Sequence, residues 1–200
     1  MGRSVVKRTQ AAFKDSTRLS VDADGLVPRA RFIPSPNFDE RPDPVSITLA
    51  VIHGISLPPG VFGGAGIVEL FTNRLDPNAD PYYESIVDLR VSAHFVILRT
   101  GELLQFVACT KRAWHAGASV WQGRERCNDF SLGIELEGTD TTPYSAIQYR
   151  MLARLLKALH RRYPFRHVVG HSDIAPGRKT DPGPAFDWPR LERLIAGKRR

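Results

Sequence analysis

The chain has 200 residues, 42% of them apolar, with 28 lysines and arginines against 21 aspartates and glutamates. A chain of this length and apolar content can bury a core of its own, while two cysteines, Cys109 and Cys127, exclude a disulfide scaffold and an all-cysteine zinc cage and read as free thiols. The net charge of +7 favours anionic partners, but the basic residues gather in the first 31 positions, the stretch 150–166 and the final Gly-Lys-Arg-Arg without interleaved aromatics. That pattern speaks against a nucleic-acid stripe and for a solvated surface or a small anionic substrate.

Residues 1–28 read as a flexible basic extension and residues 29–197 as a single domain. The first twenty residues lack the apolar core of a secretory signal, and no run is long enough to span a membrane, so the expected location is the cytoplasm. Arg31–Ser46 carries four prolines and forms a stiff lead-in. Ser46–Ile52 is short, apolar and β-branched, as a strand covered on both faces is, and it stops at His53. A turn-rich loop leads to a short helix at Ile67–Thr72. Ala93–Leu98 and Leu103–Val107 predict two strands joined by a tight turn at Thr100-Gly101.

Asp129–Gly138 alternates, with Phe130, Leu132, Ile134 and Leu136 on one side and Ser131, Gly133, Glu135 and Glu137 on the other. Thr142-Pro143 has the chemistry of a helix start, and Ile147, Met151, Leu152, Leu155, Leu156 and Leu159 form one apolar stripe behind it. Tyr163-Pro164 ends that helix, His167–Gly170 is a further strand, and Asp187 caps a last helix. Strands alternating with helices give an α/β fold, a single domain whose mixed central sheet is flanked by helices.

Two of the six histidines stand at strand ends, where open α/β sheets place their ligands: His53 after Ile52, and His171 after Gly170. The segment after His171 holds prolines and glycines that can fold it back. Two imidazoles and a carboxylate from it would make a three-ligand zinc site with an open fourth position, the catalytic form of such sites. Asp181 and Asp173 both suit the third place. Lys179, two residues before Asp181, can stabilise a developing oxyanion. Glu135 and Glu137 share the polar side of their strand, and either carboxylate there needs a partner or a task.

The segments VIHGISLPPGVFGG (51–64), LRVSAHFVI (89–97), KRAWHAG (111–117), GRERCNDFSLGIELEGTD (123–140) and GHSDIAPGRKTDPGPAFDW (170–188) together resemble the AmpD family. These are cytosolic zinc-dependent 1,6-anhydro-N-acetylmuramyl-L-alanine amidases of the peptidoglycan-recognition-like fold. The resemblance runs from Pro34 to Trp188. It implies His53, His171 and Asp181 as ligands of one catalytic zinc, Glu135 as general base and acid, and Lys179 as oxyanion stabiliser. It implies Arg90, Trp114 and Arg126 as borders of the substrate groove. The implied substrate is a muropeptide, cut between anhydro-muramic acid and L-alanine during peptidoglycan recycling, by a monomer that needs neither nucleic acid nor membrane. The competing expectation is a recognition module of the same fold that binds such fragments without cutting them. Gly54 departs from the family, many of whose members have asparagine after the first zinc histidine.

Overall fold

The computed structural model describes residues 18–197. Its strands are β1 (Arg31–Phe32), β2 (Phe38–Asp39), β3 (Leu49–Ile55), β4 (Phe95–Ile97), β5 (Leu103–Gln105), β6 (Arg112–Ala113), β7 (Val120–Trp121), β8 (Arg124–Glu125), β9 (Ser131–Glu137) and β10 (His167–Gly170). The α-helices are α1 (Gly66–Phe71), α2 (Pro81–Glu84), α3 (Ala146–Arg162), α4 (His171–Ile174) and α5 (Trp188–Ala196). Six strands form the main sheet in the order β1-β5-β4-β9-β3-β10. Every pairing in it is parallel except β4 with β5, the hairpin expected around Thr100-Gly101. The sheet is therefore mixed, as expected. β2 pairs with β6 and β7 with β8 in two small antiparallel ladders outside it.

The central strands β3 and β9 are apolar on one face because that face meets α3. Ala50 and Ile52 of β3 and Leu132, Ile134 and Leu136 of β9 share a core with Leu152, Leu155, Leu156 and Leu159. Each of those helix leucines is essentially fully buried, worth about 1.5–3 kcal/mol apiece. The opposite face carries Leu49, Val51 and Val169 in one cluster, while Val96 and Leu104 pack with Ile67, Leu70 and Phe71 of α1 in another. Polar side chains of β9 lie on this second face but are also covered, so all seven residues of the strand are buried.

Several details differ from the sequence expectation. β3 continues past His53 to Ile55, because Ile52–Ile55 pair with Ile134–Glu137 and the ladder does not stop at the polar residue. α3 starts at Ala146 rather than at Thr142-Pro143, because Ser145 and Gln148 form a complete capping box there. One helical turn, α4, opens the proline-rich segment expected to have none. Residues 18–28, expected to belong to a flexible extension, are packed: Leu19 and Val27 are buried, the Val27 N–H donates to Gln105 Oε1 (2.8 Å), and Gln105 Nε2 donates to the Gly25 carbonyl (2.9 Å). Leu19 joins the α3 core, which a sequence reading by charge alone undervalues. The rest of that expectation, residues 1–17, lies outside the described residues.

Candidate active site

The parallel register brings the candidate residues to one end of the sheet. His53 pairs with Glu135 across β3 and β9, and Gly170 at the end of β10 pairs with Ile52, so His171 follows directly beside His53. The two imidazole centroids are 4.4 Å apart. Asp181 arrives from the segment after α4. That segment folds back through hydrogen bonds from the Lys179 N–H to the Ala175 carbonyl and from the Ser172 N–H to the Asp181 carbonyl, both 3.0 Å. Tyr144 pins it from the other side, its hydroxyl donating to the Pro182 carbonyl at 3.0 Å. The prolines stiffen the segment, and these three bonds decide where its carboxylate stands.

Asp181 Oδ2 lies 3.2 Å from His53 Nδ1 and 3.1 Å from His171 Nδ1, and one donor atom of each residue lies within 4.8 Å of the others. Zinc bonds of about 2.0–2.1 Å in a tetrahedron put ligand atoms about 3.3 Å apart, so the observed spacings match two edges of such a site. The outer nitrogen agrees. His171 Nε2 is 3.2 Å from the Ala116 carbonyl, which can only accept. A neutral His171 ring therefore carries its proton on Nε2 and turns a bare Nδ1 towards Asp181. Two nitrogen lone pairs and a carboxylate converging at this distance are complementary to a small cation, and the three residues can hold a metal ion.

Burial dominates the electrostatics. It pushes the His53 pKa down to about 4, against the opposing pull of Asp181. Glu135 goes the other way: burial, then the nearby Asp181 charge, raise its pKa well above normal, only partly offset by Lys179.

The structure separates the rivals left open by pattern. Asp173 accepts the Gly170 N–H at 2.7 Å and closes the turn of α4, outside the metal-capable group. Glu137 is buried and accepts the N–H groups of Gly63 (2.5 Å) and Arg99 (2.8 Å), so its carboxylate ties the 57–64 loop to the sheet. Glu135 instead lines the groove, and its Oε2 is buried without a hydrogen-bond partner. A buried carboxylate oxygen left unpaired costs stability, and its position beside the ligand set gives that cost a chemical use.

A groove of about 650 Å³ opens over this cluster, lined among others by His53, Glu135, His171, Lys179, Asp181 and Trp114. Arg90 and Arg126, expected to border it, are not brought into it. Arg90 is exposed and folds back on the Val87 and Leu89 carbonyls (3.0 and 3.3 Å). Arg126 points to Asp129 (3.2 Å) and lines a separate depression with Gly117 and Ile174. The arginine that does line the groove is Arg178, clamped by the Ala116 and Ala118 carbonyls at 2.7 Å each. In the sequence only its place beside Lys179 marks it. Tyr144 has no such mark, and its place explains Gly54: a Cβ at residue 54 would stand 2.3 Å from the Tyr144 hydroxyl, so a side chain there requires that tyrosine to move.

The family model for N-acetylmuramoyl-L-alanine amidases matches residues 43–184, which span β3 through Asp181 and contain every residue of the cluster. The chain belongs to this amidase family. The 1,6-anhydro-N-acetylmuramyl-L-alanine amidase AmpD of Citrobacter freundii is 57% identical over 174 residues, covering 86% of this chain and 93% of that protein. The crystal structure of a selenomethionine derivative of AmpD superimposes with a TM-score of 0.85 at 56% identity, over 88% of this chain and 98% of that one. A more distant amidase, AmiD of E. coli, was solved as a complex with anhydro-N-acetylmuramic acid-L-Ala-D-gamma-Glu-L-Lys. It matches with a TM-score of 0.54 at 29% identity, over 87% of this chain and 65% of that one. In this amidase the sheet end carrying His53, Glu135 and His171 is thus the end at which the family's chemistry is to be sought.

Proposed function

We propose that the protein hydrolyses the amide between 1,6-anhydro-N-acetylmuramic acid and L-alanine in muropeptides, as a step of peptidoglycan recycling, and that one zinc ion held by His53, His171 and Asp181 is its cofactor. The observation that carries this reading is the convergence of three donor atoms within 4.8 Å beside the unpaired Glu135 Oε2. Family membership and the ligand named for AmiD support the substrate class. Zinc suits two imidazoles and a carboxylate, and when bound it supplies Lewis acidity that lowers the pKa of a water from about 15.7 towards 7.

The chain's own groups do the rest. Glu135 accepts the proton of the attacking water on its free Oε2. Its raised pKa suits a group that must later return that proton to the departing alanine nitrogen. Lys179, on the groove wall, supplies a fixed positive charge to the oxygen that becomes negative as the carbonyl carbon turns tetrahedral. Arg178 and Trp114 give the groove a cationic and an aromatic surface for a substrate that carries carboxylates and a sugar ring. No described helix is long and apolar enough to cross a membrane, and this reading has the protein working in the cytoplasm as a monomer, without nucleic acid.

The test is incubation of the purified protein with anhydro-muramyl tripeptide, with and without a chelator, alongside metal analysis. Release of free peptide that stops on chelation and returns with zinc supports the enzyme. Tight binding of the intact muropeptide with no release would instead identify a recognition module.

A further inference from the structure

Four histidines stand in a row at the site: His171, His53, His115 and His94, with successive ring centroids 4.4, 5.0 and 5.8 Å apart. The first two belong to the candidate ligand set. His115 does not, yet it is held from every side. Its ring lies over Gly133, where a Cβ would stand 2.4 Å from its Cγ, so the strand face is cut away for it. Asn128 Oδ1 accepts its backbone N–H at 3.1 Å and that of Ala116 at 2.8 Å, which fixes the chain at this point. Its Nδ1 is 3.0 Å from His53 Nε2, and its Nε2 is 3.2 Å from Ser131 Oγ.

The direction of this chain of bonds follows from its far end. Ser131 lies 2.5 Å from the Cys127 carbonyl, which can only accept, so the hydroxyl's one proton is directed there. Towards His115 the hydroxyl oxygen must accept, and His115 carries its proton on Nε2. None of the ring's hydrogen-bond partners is a carboxylate, and in the neutral tautomer that donates from Nε2 to Ser131 the Nδ1 is bare. That bare nitrogen accepts from His53 Nε2–H, which leaves His53 Nδ1 bare and facing Asp181 Oδ2 at 3.2 Å. We propose that His115, oriented by Ser131 and seated on Gly133, is a positioning residue of the metal site: it holds the His53 proton on Nε2 and thereby presents Nδ1 to the ion. For His171 the Ala116 carbonyl does the same work directly. Outer partners of this kind orient a ligating imidazole and typically set metal affinity by about 10–100-fold. The inference rests on the reading of His53, His171 and Asp181 as metal ligands.

Three variants test it: His115→Phe keeps a ring over Gly133 but removes the acceptor, His115→Gln restores an acceptor, and Ser131→Ala removes the group that orients the relay. Zinc affinity is measured by competition with a chromophoric chelator, and the His53 tautomer by nitrogen-15 NMR of the metal-free proteins. The expected result is His53 protonated on Nε2 in the wild type, loss of that single tautomer in His115→Phe and Ser131→Ala, a fall in zinc affinity of about 10–100-fold in His115→Phe, and partial recovery in His115→Gln. A purely structural role would lower thermal stability and leave tautomer and affinity alone. Unchanged affinity in folded His115→Phe, or a wild-type His53 protonated on Nδ1, overturns the proposal; if His115→Phe does not fold, an unchanged tautomer and affinity in Ser131→Ala overturns it equally. A wild-type protein that binds no zinc would end the metal reading itself, while the tautomer in metal-free protein still judges the relay.

Discussion

Glu135 stands opposite His53 in the parallel pairing of β9 with β3, on the face of the sheet that α3 does not cover. The pairing puts a candidate base beside a candidate metal ligand without any loop having to hold it, and it makes the two residues separable by experiment. Glu135→Gln should bind zinc as the wild type does while kcat falls by about 10² or more, the usual size of lost general-base catalysis. Normal turnover in that variant would remove Glu135 from the mechanism.

The same carboxyl predicts a pH effect on stability in the metal-free protein. Its folded pKa is raised, so the folded state keeps a proton that the unfolded chain releases above its ordinary value of 4.5. The contribution to stability is therefore complete below about pH 4.5 and is lost as pH rises from there through the folded pKa. Thermal unfolding of chelator-treated wild type and Glu135→Gln should diverge with rising pH, in favour of the glutamine variant. Parallel curves would contradict the assigned burial. Adding zinc should shrink the difference, since a nearby cation favours the charged carboxylate.

Asp181 and Asp173 make a paired control. Asp181→Asn removes one of three donors and should abolish stoichiometric zinc binding. Asp173→Asn weakens only the closure of α4, at about 1 kcal/mol, with zinc retained. Equilibrium dialysis and denaturant midpoints read the two effects, and full zinc occupancy in Asp181→Asn would return the third ligand position to another residue.

Glu137→Ala should differ in kind from Glu135→Gln. It leaves the Gly63 and Arg99 N–H groups without their acceptor, at about 1–3 kcal/mol each, and loosens the loop at the groove. A lower urea midpoint together with a raised KM is expected, and a kcat loss as deep as that of Glu135→Gln at wild-type stability would reverse the two roles.

Arg41 gives a prediction away from the chemistry. Its guanidinium donates to the carbonyls of Cys109, Asn128, Asp129 and Ser131 at 2.8–3.3 Å, and burial pulls its pKa down to about 10. Arg41→Met strands those acceptors and should cost about 3 kcal/mol or more. Arg41→Lys should recover little, because an ammonium lacks the planar fork that reaches all four. A stability loss under about 1 kcal/mol in Arg41→Met, read from denaturant unfolding, would contradict this account.

Most of the frame was legible in the sequence, and the reasons are local. Ile52 and Val169 sit in short β-branched runs and Ile134 in an alternating one, Leu152 to Leu159 repeat at helical spacing, and Asp187 followed by Trp188-Pro189 caps α5, its carboxylate accepting the Arg190 N–H at 2.9 Å. Period and capping are properties of neighbours along the chain, so they survive in the one-dimensional record. The start of α3 was misplaced because Thr142-Pro143 and Ser145 both have cap chemistry, and what distinguishes them is Gln148 reaching back to Ser145.

By itself the sequence determined the α/β class, the strand that bears His53 and the one that ends before His171, and a set of carboxylates rich enough to complete a metal site. Only the tertiary structure decided among them. It gave Asp173 to a backbone N–H and Asp181 to the histidines, fastened Glu137 to a loop and left Glu135 open to the groove, and set His115 behind His53. It also turned Arg90 and Arg126 away and brought Arg178 in. The physical reason is that a carboxylate or an imidazole has the same intrinsic chemistry wherever it stands. Its role is fixed by which donors and acceptors reach it within about 3 Å, and residues as far apart in the chain as 53, 115, 135 and 181 acquire those partners only when the strands pair and the loops close.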